Sequence, residues 1–298
     1  MHYSAVVLLA ALVAQSSAHG VVTEIQGANG VNMPGLSVID GTPRDSPSPA
    51  SGAEADTSII RDRELGGGKA SALGRTQGGG PVDAASAVAM FMNGAGAAGS
   101  TAAGGAAAGK RGLLGNLLGG GAGAGGAGGA GGAADAQGQK TQSGAAEAGV
   151  SKAAGTGASS GLPTCSDDGT ISVTYHQVNQ DGAGPLTADV DPTSGGTDPA
   201  AFQQAKVTQD VPGVALGLSA TQTTDFPVKV QMPAGMTCSG TVGDAKNVCV
   251  ARLRNNTPAG PFGGSVAFTQ SAGAKKRAIE YNLRKRHFAR GVLDKLHL

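Results

Sequence analysis

Between Gly94 and Gly161 the sequence collapses almost entirely to glycine and alanine, with scattered Ser, Gln and Lys. A stretch of that composition cannot bury enough apolar surface to offset the entropy of ordering it. Residues 94–161 therefore read as a disordered insert, and any fold must come from the two patterned segments on either side, 19–93 and 162–272. With no Trp and aromatics at only 3% of the 298 residues, the core has to be thin and built from Val, Ile, Leu and Ala.

The second segment is patterned as strand. In Ile171–Val178, Ile171, Val173 and Tyr175 fall on one face and Ser172, Thr174 and His176 on the other. Residues 227–233 alternate in the same way, with Val228, Val230 and Met232 inward. Asn247–Arg254 and Ser265–Gln270 are further strands, separated by turn clusters at sandwich-like intervals. In the first segment, Val21–Ile25 is a short strand, Arg44–Ser51 is loop, and Asp56–Leu65 is a helical turn or irregular strand. Ala84–Met92 is apolar without a decisive period, so helix and strand stay open. The fold class expected is all-β, an antiparallel β-sandwich assembled from both segments. Residues 273–298 form a basic tail of partial helical amphipathicity. It is a solvated extension, or a segment resting on anionic membrane or wall polymer.

Residues 4–15 are an apolar run too short to span a bilayer, and Ser16-Ser17-Ala18 places small residues before His19. Residues 1–18 thus read as a signal peptide, and the product as secreted, without a transmembrane segment. The net charge of +1 argues against nucleic acid as a partner. Three cysteines leave one pair and one remainder in an oxidising compartment. Cys238 and Cys249 flank a turn region and are the expected disulfide, worth about 2–3 kcal/mol for so short a loop. Cys165 is left over. Lys110-Arg111 inside the insert is a dibasic processing site or an incidental pair.

Cleavage after Ala18 would make His19 the first residue, with an α-amine and an imidazole together. His176 is the only other histidine between His19 and the tail. A second imidazole brought near the first completes a three-nitrogen clamp suited to copper. Such binding must expel a proton from the amine near neutral pH. Asp181, Asp189 and Asp191 could serve calcium or sugar hydrolysis, but QDGAGPL and DVDP read as Asx-type turns. Arg61, Asp62, Arg63 and Glu64 read as an ion-pair cluster. Asn255-Asn256-Thr257 is a glycosylation pattern on Asn255, weakened by Pro258.

Four blocks, in order, carry a family resemblance: HGVVTEIQGANGVNMPGLSVIDGTPRD from His19, ADTSIIRDREL from Ala55, YHQVNQDGAGPLTADVD from Tyr175, and NVCVARLRNNTPAGPFGGSVAFTQ from Asn247. Together they resemble the appressorium-specific, MAS-type (Egh-like) secreted virulence factors of filamentous fungi. The resemblance covers both patterned segments and implies a secreted protein of infection or surface-penetration structures, without implying a reaction. The N-terminal histidine also resembles that of lytic polysaccharide monooxygenases. That resemblance implies His19 and His176 as copper ligands, Phe268 as the axial aromatic with Phe262 behind it, and Gln270 as a donor toward bound oxygen. Two functions follow as expectations: copper-dependent oxidation of a cell-wall or host polysaccharide, or non-catalytic wall binding or effector action. In either case the protein is expected to be a monomer. Scarce sugar-stacking aromatics favour the second.

Overall fold

The computed structural model describes residues 19–65, 67–94, 137–214 and 217–296, with side chains described as far as Phe288. The expected leader and the dibasic pair lie outside them. Among the described residues thirteen strands form one continuous antiparallel sheet. They are β1 (Gly20–Gln26), β2 (Asn32–Pro34), β3 (Ser58–Ile59), β4 (Arg75–Thr76), β5 (Gly80–Pro81), β6 (Gln139–Lys140), β7 (Thr170–Gln177), β8 (Thr187–Asp191), β9 (Gln203–Gln209), β10 (Thr224–Gln231), β11 (Gly240–Val242), β12 (Ala245–Arg254) and β13 (Phe262–Thr269). The spatial order is β2-β1-β7-β10-β9-β8-β12-β13-β3-β4-β5, with β11 on β12 and β6 on β10.

The sheet curls until β1 packs against β13, so two layers face each other as a sandwich-like half-barrel. Gly264 permits that approach: a Cβ there would lie 2.8 Å from the Val22 nitrogen. The core follows the two-residue alternation. Ile171, Val173 and Tyr175 of β7 join Phe226, Val228 and Val230 of β10 and Val22 of β1 inside. Central β12 is buried on both faces from Val248 to Leu253, which is why its sequence is nearly continuous in apolar residues.

Ala84–Asn93 resolves as helix α1. Asp83 caps it by accepting from the Ala85 nitrogen, and Ala84, Val88 and Phe91 are buried at helical spacing. Asp56–Leu65 divides into β3 and a short 3₁₀ turn at Asp62–Glu64. Cys238 and Cys249 are disulfide-bonded, with Cα atoms 5.0 Å apart, tying the loop before β11 to β12. Cys165 is free and buried.

The composition-based limit of the insert is set too far along the chain. Residues 137–161 pack on the body: β6 pairs with β10, and the short helices α2 (Gly149–Ala153) and α3 (Gly157–Ser160) follow. Glu147 anchors this stretch through Arg44. Polar tertiary bonds hold a segment whose composition alone could not. The tail is helix α4 (Ala272–Leu296).

Candidate functional site

The outer face of the β1–β7–β10 layer is where the two expected metal ligands lie. Register sets Val21 opposite His176 and Asp225 opposite His176 on the other side. The ladder continues past Gly20 with the Val178 nitrogen donating to the His19 carbonyl at 3.0 Å. His19 and His176 are therefore diagonal neighbours on one face, with backbones about 7–8 Å apart by sheet geometry.

Their side chains nevertheless go to different acids. His19 Nδ1 lies 3.1 Å from Glu54 Oε1. His176 Nδ1 is hydrogen-bonded to Asp225 Oδ1 at 2.7 Å. His19 is 3% exposed and His176 0%, so neither ring meets solvent. The Nε2 atoms of both are buried and unpartnered.

His19 is enclosed on several sides. Its backbone nitrogen donates to Asn179 Oδ1 at 2.7 Å, and Asn179 Nδ2 donates to Glu54 at 3.1 Å. Its ring stacks on Phe262 with centroids 4.3 Å apart. The Gly182 turn lies over it so tightly that a Cβ on Gly182 would sit 1.9 Å from the His19 carbonyl oxygen. Tyr175 supports that turn from the core, donating its hydroxyl to the Gly182 carbonyl at 3.0 Å. Burial pushes the Asp181 carboxyl above its usual range, against the pull of His19.

A second buried cluster joins Asp56, two residues after Glu54, to Arg44 and to Glu147 of the 137–161 stretch. Arg44 donates to both oxygens of Asp56, at 3.0 and 2.5 Å, and to Glu147 at 3.0 and 2.8 Å. Burial alone would lower the guanidinium pKa, but Asp56 and Glu147 raise it further, so it is locked in the charged form.

Other expected site residues do not join the histidines. Phe262, not Phe268, touches His19. Phe268 pairs in register with Cys249 inside the core, and six strand residues place it about 20 Å along β13 from Phe262. Gln270 is a structural clamp: it accepts from the Cys238 nitrogen at 2.9 Å and donates to the Met236 carbonyl at 2.9 Å. Asn255 is 2% exposed and accepts from the Phe262 nitrogen at 3.0 Å. Its Nδ2, the atom a glycan would occupy, is buried and unpartnered, so the folded chain has no room for one there.

The acidic residues behave as turn and ion-pair groups. Asp191 accepts from the Ser194 hydroxyl and from the Ser194, Thr193 and Gly196 nitrogens, and these bonds outweigh the cost of burial and hold its carboxyl below the usual range. Asp189 pairs with Arg252 at 3.0 Å. Glu64 bridges Arg61 and Arg75, and Asp62 pairs with Arg254. Among the described residues no group of three or more His, Cys, Asp or Glu side chains converges on one point.

The same layer also carries an exposed polar surface. Beyond His176 the outer face presents Ser172, Thr174, Lys229 and Gln231, continuing on β9 as Gln204, Lys206 and Thr208. All are exposed or half-buried; Pro227 shares this face, which is otherwise polar and without aromatics. Alternation in the sequence gives this face for β7 and β10. The β9 contribution was missed because Ala205 and Val207 are its only apolar signal.

A family model described as Egh16-like virulence factor matches residues 17–263. The chain belongs to the Egh16-like family. It is 59% identical to the appressoria-specific virulence factor GAS2 of Pyricularia oryzae over 296 residues, 98% of this chain and 97% of that protein. The appressoria-specific virulence factor GAS1 of the same organism is 38% identical over 128 residues, 42% of this chain and 50% of GAS1. No solved structure matches. In this Egh16-like chain three of the four sequence blocks that carried the resemblance meet in space: His19 from the first, Tyr175, His176, Asn179 and Gly182 from the third, and Phe262 from the fourth. Among the described residues no helix is long and apolar enough to cross a membrane.

Proposed function

We propose that this chain is a secreted, monomeric protein of fungal infection structures that acts by binding a wall or host polysaccharide rather than by redox catalysis. The naming of GAS2 as an appressoria-specific virulence factor supports the setting. One observation carries the binding reading: both candidate metal ligands are buried, His19 against Glu54 and His176 against Asp225, while the polar face of β7, β10 and β9 is open. A copper centre that oxidises a polymer must present its open coordination position to that polymer. The enclosed His19 does not fit that requirement. A flat array of hydroxyl, amide and ammonium groups can instead hydrogen-bond the hydroxyls of an extended glycan. Affinity from such a surface, without stacking aromatics, is modest and depends on many sites along one polymer.

The test is retention on insoluble chitin, β-glucan and cellulose, for the mature protein and for a Lys206→Ala/Lys229→Ala/Gln204→Ala variant. At least one polymer should retain the native protein, and the variant should bind several-fold less. No retention on any polymer overturns the binding reading.

Copper chemistry is the second reading, favoured by one observation. His176 is held at Nδ1 by Asp225 with Nε2 left unpartnered, the arrangement in which a carboxylate orients a ligating imidazole. It requires His19 to leave Glu54 and turn toward His176. Copper bound there would supply oxidation of the polymer. Incubation with copper, a reductant and each polymer distinguishes the readings: oxidised soluble sugars lost in His176→Ala support catalysis, and their absence supports binding alone.

A further inference from the structure

Helix α4 leaves the body after its first three turns. Ala274 and Ala278 are buried, and Asn282 Nδ2 donates to the Gly235 carbonyl at 2.9 Å, the last hydrogen bond to the body among the described side chains. At 25 residues the helix is about 37 Å long, so more than half of it lies beyond that anchor.

Its surface is unlike the rest of the molecule. Of the six large apolar side chains exposed among the described residues, four are Ile279, Tyr281, Leu283 and Phe288. Over the same turns Lys275, Lys276, Arg277, Arg284, Lys285 and Arg286 face one acid, Glu280. Helical spacing puts Lys276, Ile279 and Leu283 on one stripe turned away from the Ala274–Ala278 face that docks on the body, with Arg286 at the edge of that stripe, one turn beyond Asn282. Ile279 is 47% and Leu283 48% exposed. The stripe is thus an apolar pair bracketed by cations and aimed outward.

We infer that this outward face of α4 is a docking surface for an anionic lipid bilayer. The reading goes beyond polysaccharide binding and does not depend on it. Charge complementarity draws the helix to the headgroups, and Ile279 and Leu283 enter the boundary with the acyl chains while the lysine and arginine stems reach back to phosphate. An acidic polymer would use the cations and leave the apolar pair uncovered. A second copy of the helix would bring two like-charged faces together, which is unfavourable.

The test is co-sedimentation of the full mature chain with vesicles of pure phosphatidylcholine, and of phosphatidylcholine with about one-third phosphatidylserine. Binding is expected to the anionic vesicles only, and to fall with added salt. Ile279→Ser/Leu283→Ser should weaken it about tenfold, and Lys276→Gln/Arg286→Gln by a similar factor. Both pairs are exposed, so an unchanged thermal midpoint shows that the fold is intact. Three results overturn the inference: no binding to anionic vesicles, vesicle binding indifferent to the loss of Ile279 and Leu283, or tighter binding to soluble polygalacturonate than to vesicles. The last would make the helix a polyanion site. A fourth overturning result is concentration-dependent dimerisation abolished by Ile279→Ser/Leu283→Ser, which would make the helix a homotypic site.

Discussion

Replacing Arg44 with Met should be among the most damaging single changes to this protein. The guanidinium is 6% exposed and makes four charge-assisted hydrogen bonds, two to Asp56 and two to Glu147. Asp56 itself is 0% exposed, and its other partner is the Ile39 nitrogen at 3.3 Å. Methionine keeps much of the stem volume but leaves two acids with no cation. Removing one partner of a buried ion pair costs about 3–5 kcal/mol, because the remaining charge stays desolvated. For a domain of this size that is a fall in thermal midpoint of roughly 6–20 °C. The assay is urea and thermal unfolding followed by far-ultraviolet circular dichroism. Adding Asp56→Asn to Arg44→Met should restore part of the loss, since it removes one stranded charge. A loss below about 1 kcal/mol, the range of exposed pairs, would refute the reasoning. So would a double variant less stable than Arg44→Met alone.

Asp191 should give the fold an acid-sensitive component. Its folded pKa is depressed, so its contribution is complete above the unfolded value of about 3.9 and is lost as pH falls through the folded value. Asp191→Asn should therefore lose stability at pH 7 and show a flatter stability profile below pH ~4 in urea titrations. Cys238→Ser/Cys249→Ser should cost about 3 kcal/mol, as expected for a cross-link of sequence separation 11, read from urea midpoints with and without reductant. Secreted protein treated with peptide N-glycosidase should show no mass shift at Asn255, because Nδ2 is enclosed; a shift there would mean that the Asn255–Phe262 turn opens.

The strands were legible wherever one face is wet. β7 and β10 alternate cleanly because their inner face meets the core and their outer face meets solvent or the polar clusters. β12 was legible as an apolar run because neighbours cover both of its faces. β8 was hidden: Asp189 and Asp191 are strand residues held by Arg252 and by a turn, and side-chain bonding of that kind leaves no hydrophobic period. Residues 137–161 were hidden for a related reason, since Glu147 and the β6–β10 bridge are tertiary. The disulfide followed from spacing and compartment. At the candidate site the sequence offered His19 and His176 as partners, and the sheet register sets them as diagonal neighbours. It could not foresee that Glu54 and Asp225 claim the two rings separately, nor choose Phe262 over Phe268, because those outcomes depend on where β13 crosses β1.

The account rests on the two histidines being internal clasps rather than an open metal centre. Copper titration of the mature protein beginning at His19, followed by electron paramagnetic resonance, tests this most directly. Copper should bind weakly, with a spectrum unchanged by His176→Ala or by one extra residue ahead of His19. A tight type-two copper signal abolished by both changes would contradict the account and establish the three-nitrogen clamp.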